Sequence, residues 1–301
     1  MSDNESCRRC LSRRQFLKYS AATVGAATLA GSTAAAAAAA TVAPEAGPGM
    51  LVDLSRCVGC GNCQRTCDEA NGLNPTPEQM QGLSTQTFTY VQRIDLGADK
   101  ARFVKRQCMH CLDAACASAC PTSAMWRTPE GPVAWRGERC LGCRYCMVSC
   151  PFGVPRYEWQ DGLTPRVRKC MFCLQRQQAG QEPACAANCP SGALKFGPRS
   201  ELLKEAYARI AAHPDFYVKH VYGEHEAGGT AWLYISDVPF EQLGFRTNVT
   251  TKTVPSYTWQ VMEKIPWVAG GLAVVLTGAS AWTRRHGGGH HDEPDWMSEE
   301  K

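Results

Sequence analysis

Cys140-Leu141-Gly142-Cys143-Arg144-Tyr145-Cys146-Met147-Val148-Ser149-Cys150-Pro151 sets three cysteines at intervals of three, then a fourth after three more residues and a proline. Three other groups follow the same plan. Upstream stand Cys57-x-x-Cys60-x-x-Cys63-x-x-x-Cys67 and Cys108-x-x-Cys111-x4-Cys116-x-x-x-Cys120-Pro121. Downstream stands Cys170-x-x-Cys173-x11-Cys185-x-x-x-Cys189-Pro190. The chain has 301 residues and 18 cysteines, and these groups use all but Cys7 and Cys10. It is an internal repeat with variable spacers.

Three chemistries compete for such cysteines. A disulfide scaffold suits exported proteins. Here, however, three sulfurs crowd one short loop, where neighbours would strain to bridge and would leave odd partners. Structural zinc takes four thiolates as two C-x-x-C pairs, which only the fourth group loosely resembles, through Cys170 and Cys173. The third group has the spacing of the bacterial cluster-binding run C-x2-C-x2-C-x3-C-P, in which three thiolates cap one iron–sulfur cube and the fourth serves a neighbouring cube. The expectation is four 4Fe-4S clusters, with the fourth cysteine of each group opening a helix.

Crossed ligation makes the groups pair. Cluster A takes Cys57, Cys60, Cys63 and Cys189, and cluster D takes Cys170, Cys173, Cys185 and Cys67. Cluster B takes Cys108, Cys111, Cys116 and Cys150, and cluster C takes Cys140, Cys143, Cys146 and Cys120. The fold class expected is α+β, with tandem ferredoxin-like two-cluster lobes of short strands and helices and one C-terminal transmembrane helix. Arg144, Arg168 and Lys169 stand beside cysteines, either to stabilise reduced clusters or as ordinary solvated charge. Met109, Val148, Phe152 and Phe172 read as shields against water, and His110 as a packing or surface residue.

Ser12-Arg13-Arg14-Gln15-Phe16-Leu17-Lys18 precedes a weakly hydrophobic Ala/Gly/Thr stretch from Tyr19 to Ala40. It resembles the twin-arginine export signal, a route for folded proteins and so for those loaded with cofactor in the cytoplasm; the plainer alternative is a basic helix start and a low-complexity linker. Cys7 and Cys10 leave with this segment. Most of the formal charge of +4 sits here, in Arg8, Arg9, Arg13, Arg14 and Lys18 against Asp3 and Glu5. The remainder is nearly neutral, which gives no electrostatic case for nucleic acid.

Thr87–Arg93 and Ala101–Val104 read as a strand pair, and Ala124–Thr128 with Val133–Arg136 as a hairpin around Thr-Pro-Glu-Gly-Pro. Ser200–Ala212 has helical periodicity with Ser200 as N-cap. Gly228 to Ser236 reads as turn, then strand. Residues 265–282 carry no charge, are bracketed by Trp267 and Trp282, and are followed by Arg284 and Arg285. That length just spans a bilayer, and positive residues favour the cytoplasmic side. The tail with His286, His290 and His291 reads as disordered and polar rather than metal-binding. The domain plan is a signal at 1–43, a four-cluster domain at 44–200, a linker or partner-contact region at 201–258, a transmembrane helix at 259–285 and a cytoplasmic tail at 286–301.

Four such motifs with the x4 and x11 insertions resemble the iron–sulfur electron-transfer subunits of membrane-bound respiratory oxidoreductases. These include formate dehydrogenase beta subunits and dimethyl sulfoxide reductase B subunits. The stretch His220-Val-Tyr-Gly-Glu-His-Glu-Ala-Gly-Gly-Thr-Ala-Trp-Leu-Tyr-Ile-Ser-Asp-Val-Pro-Phe-Glu-Gln-Leu-Gly-Phe245 is most similar to the hydrogenase-2 operon type. The resemblance covers residues 50 to about 285. Asp68 after Cys67, where the run has proline, departs from the pattern. The resemblance implies a wire on the periplasmic side of the membrane. It would join a catalytic subunit, such as a nickel–iron hydrogenase, to a polytopic quinone-reactive membrane subunit, and would have no substrate-converting site of its own. The alternatives are the same wire in a formate dehydrogenase or other molybdenum enzyme, and an iron–sulfur redox sensor.

Overall fold

Met50-Leu51-Val52 is a short continuous apolar run, the pattern of a strand buried on both faces. In the computed structural model, which describes residues 47–97 and 100–286, it forms the middle of β1 (Pro48–Asp53). β8 (Leu194–Pro198) pairs with β1 antiparallel, Val52 opposite Leu194, and β9 (Trp232–Ile235) pairs with it in parallel, Met50 opposite Trp232. One face of this sheet carries Met50, Val52, Trp232 and Tyr234 against Phe172, Tyr222 and Phe240. The other carries Leu51, Leu233 and Ile235 against Leu202, Ala206 and Ile210 of α6 (Arg199–Ala212). Residues 201–258 thus supply β9 and most of α6 to the body that holds the cysteines.

Around this sheet hang three two-stranded ribbons. β2 (Tyr90–Asp95) and β3 (Ala101–Arg106) pair in register from Tyr90–Arg106 to Asp95–Ala101. β4 (Met125–Arg127) and β5 (Val133–Trp135) form the Thr-Pro-Glu-Gly-Pro hairpin, closed by Thr128 N–H on the Pro132 carbonyl at 2.8 Å. β6 (Arg156–Tyr157) and β7 (Val167–Arg168) form the third.

The short helices lie before the Cys-Pro pairs and do not open at them. α2 (Ala115–Ser118) stops before Cys120, α3 (Tyr145–Ser149) before Cys150, and α5 (Ala184–Ala187) before Cys189. Proline disfavours the helical region for the residue before it, so none of these helices runs through its cysteine, and α3 is capped at Cys150 itself. α1 (Asn62–Asn71) shows the converse: Asp68 replaces the proline, and the helix runs through Cys67. α4 (Leu174–Gln178) fills the eleven-residue insertion between Cys173 and Cys185. In α6, Ser200 lies inside the first turn, and Pro198 takes the cap position without a side-chain bond.

α7 (Val254–Met262) starts at Thr253, whose hydroxyl accepts the Ser256 N–H at 3.3 Å, and it leads into α8 (Ile265–His286). α8 is 22 residues long and exposed throughout, and α7 with α8 is long and apolar enough to cross a membrane. The twin-arginine stretch and the tail beyond His286, with His290 and His291, lie outside the described residues.

Candidate metal centres

Each motif turns at the same place. The residue just before the second cysteine has positive φ in all four: Gly59 at 73°, His110 at 48°, Gly142 at 68° and Phe172 at 57°. That left-handed step folds C-x-x-C into a tight loop so that successive sulfurs fan around one centre. Glycine accepts it freely, and His110 and Phe172 hold it under strain of about 1–3 kcal/mol each.

The sulfurs then gather in quartets. One pocket is lined by Cys57, Cys60, Cys63 and Cys189, a second by Cys67, Cys170, Cys173 and Cys185, and a third by Cys120, Cys140, Cys143 and Cys146. In the fourth quartet, the thiol of Cys111 is raised by burial and by its neighbours Cys108, Cys150 and Cys116. Each quartet draws three cysteines from one motif and one from another. The quartets also meet one another: Cys185 feels Cys63, Cys170 feels Cys108, and Cys116 feels Cys146.

The donor set fits cubane clusters. Burial pushes Cys116, Cys146 and Cys170 up to about 12 and Cys185 to about 11, with neighbouring thiolates adding to it. Buried thiols raised in this way need positive irons beside them to become thiolates at neutral pH. Two buried indole N–H groups, Trp232 at the second pocket and Trp135 at the third, have no acceptor among the described residues. Cluster sulfur is an acceptor of the right kind.

The neighbouring side chains sort by burial. Met109 and Phe172 are buried and Phe152 half-buried. Val148 is 84% exposed and shields nothing, because α3 turns it to the side opposite Cys146. Arg144 lies over the rings of Tyr157 and Trp159, and Arg168 pairs with Glu158 at 3.6 Å. Lys169 is buried, donating to the carbonyls of Val133 at 2.5 Å and Cys170 at 2.9 Å, and its charge lowers the Cys116 thiol against the larger effect of burial. His110 is buried; its Nδ1 accepts the Val133 N–H at 3.0 Å, and burial, with Lys169 nearby, holds its pKa well below the usual imidazole value.

Sequence reasoning missed Lys105. It is 2% exposed and lines both the Cys57 and the Cys67 pockets. Burial lowers its pKa, and negative charge on the nearby sulfurs of Cys185, Cys63 and Cys170, with Tyr234, more than offsets this and raises it. On β3 it follows Val104, and both are buried because the β2–β3 ribbon lies between the aromatic core and the cysteine pockets. A one-sided ribbon would have exposed one of the two, so alternation gave no signal.

Comparison with known proteins agrees with this chemistry. Residues 100–199 and 56–124 each match a 4Fe-4S dicluster domain family, which makes four clusters, and residues 10–30 match the twin-arginine translocation pathway signal sequence. The chain is 40% identical over 288 residues to a protein of Nitratidesulfovibrio vulgaris, covering 91% of this chain and 78% of that one. It is 32% identical over 290 residues to the hydrogenase-2 operon protein HybA of Escherichia coli O157:H7, covering 81% and 88%. It is 35% identical over 198 residues to the nitrate-inducible formate dehydrogenase iron–sulfur subunit of Escherichia coli K12, covering 62% and 66%. Fold and site together define a four-cluster ferredoxin-type electron-transfer protein, with an export signal and a C-terminal apolar helix consistent with anchoring on the periplasmic side of the membrane. Within that class, the chain belongs to the family of the hydrogenase-2 operon protein HybA.

Proposed function

We propose that this chain is the wire of a membrane-bound hydrogenase complex, with clusters A to D held by the four crossed quartets and spaced in the order A–D–B–C. Electrostatic contact between quartets supports the order, since Cys63 meets Cys185, Cys170 meets Cys108, and Cys116 meets Cys146. When bound, the clusters carry electrons one at a time. The protein's own residues set the spacing, keep water out and supply compensating charge.

The observation that carries the reading is the contrast between the ends and the middle. Cys60 of quartet A and Cys143 of quartet C are exposed, while every cysteine of quartets B and D is at least partly covered. A relay needs its terminal centres at the surface. Quartet C also lies towards the membrane end: α2, which leads into its Cys120, packs against α7, and Tyr145 and Ser149 of α3, the helix of its Cys146, share a cavity with Val254, Pro255 and Thr258. Quartet C therefore faces a quinone-reactive membrane subunit, and quartet A faces a catalytic subunit that does the substrate chemistry.

The hydrogenase partner rests on similarity along most of the chain to a hydrogenase-2 operon protein. A second reading, service to a formate dehydrogenase, rests on similarity over 198 residues to such subunits. Anaerobic purification through a tag on this chain separates them. Co-purified nickel–iron subunits support the first, a molybdenum subunit replaces it with the second, and a chain isolated without any oxidoreductase partner contradicts both in favour of a sensor.

A further inference from the structure

Lys105 is a buried cation without a carboxylate. Among the described residues, its Nζ meets only neutral partners by hydrogen bond, the Thr89 hydroxyl at 2.6 Å and the Gln107 side-chain carbonyl at 3.2 Å. It also stands 4.7 Å from the centre of the Trp232 ring. A buried ammonium is costly unless negative charge compensates it. Among the described residues, the titratable groups that act on it are the sulfurs of Cys185, Cys63 and Cys170 and the Tyr234 hydroxyl. Lys105 lines the pocket of Cys57, Cys60, Cys63 and Cys189, and also that of Cys67, Cys170, Cys173 and Cys185.

The polar network holds it there. The Gln107 side-chain N–H donates to the Tyr234 hydroxyl at 2.5 Å, and that hydroxyl donates to the Lys105 carbonyl at 3.2 Å. Tyr234 is 1% exposed on β9, so the Lys105 backbone and the Gln107 amide that accepts from its ammonium are tied to the central sheet. Thr89 and Gln107 thus direct the charge to the seam between the two pockets.

We propose that the Lys105 ammonium is the shared counter-charge of clusters A and D, raising the reduction potentials of both and coupling them as neighbours in the relay. Reducing either cluster adds one negative charge at the seam, and a fixed positive charge in a low-dielectric site favours the reduced form. The two clusters share one cation, so an electron on either claims part of the same compensation. Lys105 is therefore a positioning residue for the electron path; it is not a ligand. The proposal rests on the crossed ligand sets given above.

The test is an EPR-monitored redox titration of the anaerobically purified chain, comparing wild type with Lys105→Gln and Lys105→Arg and measuring iron on each. Cys57→Ser and Cys67→Ser, each removing a ligand from one cluster, mark the signals of A and D. The expected result is a fall in the potentials of A and D in Lys105→Gln, little change in Lys105→Arg, and B and C unmoved in both. Iron lost from Lys105→Gln but kept by Lys105→Arg also supports a need for the charge. Unchanged potentials in Lys105→Gln, equal shifts in both variants, or iron lost from both would overturn the proposal. Failure of the ligand sets appears separately, as Cys57→Ser or Cys67→Ser removing a signal other than a single cluster's.

Discussion

The rings of His110 and Phe172 lie 5.0 Å apart, centre to centre, and each residue occupies left-handed backbone immediately before the second cysteine of its motif. Two loops 62 positions apart in sequence are thus locked by the strained residues themselves. Phe172 also meets Phe196 and Trp232, and is 1% exposed. Phe172→Ala should cost about 3–5 kcal/mol. The check is the urea concentration at which visible cluster absorbance is lost, which should fall well below that of wild type.

Gly59 and Gly61 make a paired test of the cluster A loop. Both have positive φ, at 73° and 69°. A side-chain carbon at Gly59 would run into the Phe103 ring, whereas nothing lies within 4 Å of one at Gly61. Gly61→Ala should cost only the backbone penalty, about 1–2 kcal/mol, and retain full iron. Gly59→Ala should lose about 4 irons per chain, one cubane cluster, as read by metal analysis.

Asp53 anchors α6 to the end of β1. Its carboxylate is fully buried and accepts from Tyr217 at 2.9 Å and Arg209 at 3.0 Å, with the Ser55 hydroxyl at 2.5 Å. Arg209→Met strands part of that buried charge and should cost about 2–3 kcal/mol. Adding Asp53→Asn should recover some of the loss. Thermal unfolding followed by far-UV circular dichroism measures both.

A chain ending at Pro255 lacks α8, all of whose residues are exposed in the isolated chain. Expressed without partner subunits, it should move from the membrane pellet to the soluble fraction. Its persistence in salt-washed membranes would contradict a role for α8 as anchor.

The cysteine groups were legible because ligand spacing is local, as were the β2–β3 and β4–β5 ribbons, whose strands lie close in sequence. The β8–β1–β9 sheet was not. β1 pairs with residues about 145 and 180 positions away, and an apolar run as short as Met50–Val52 does not name its partners. The fourth cysteines do not open helices because the proline after three of them keeps the cysteine out of the helical region, and where Asp68 replaces it α1 runs on through Cys67. Sequence neighbours alone place Val148 beside a cluster, but a helix of five residues has an outer side, and Val148 lies on it. Lys105 escaped notice because a lysine between Val104 and Arg106 in a strand suggests solvent, and only the tertiary packing buries it.

The central claim is four cubane clusters in one exported chain. Iron and acid-labile sulfide measured on the anaerobically purified protein test it most directly. The account predicts about 16 irons and about 16 sulfides per chain; a content near half of that, or zinc in place of iron, would contradict it.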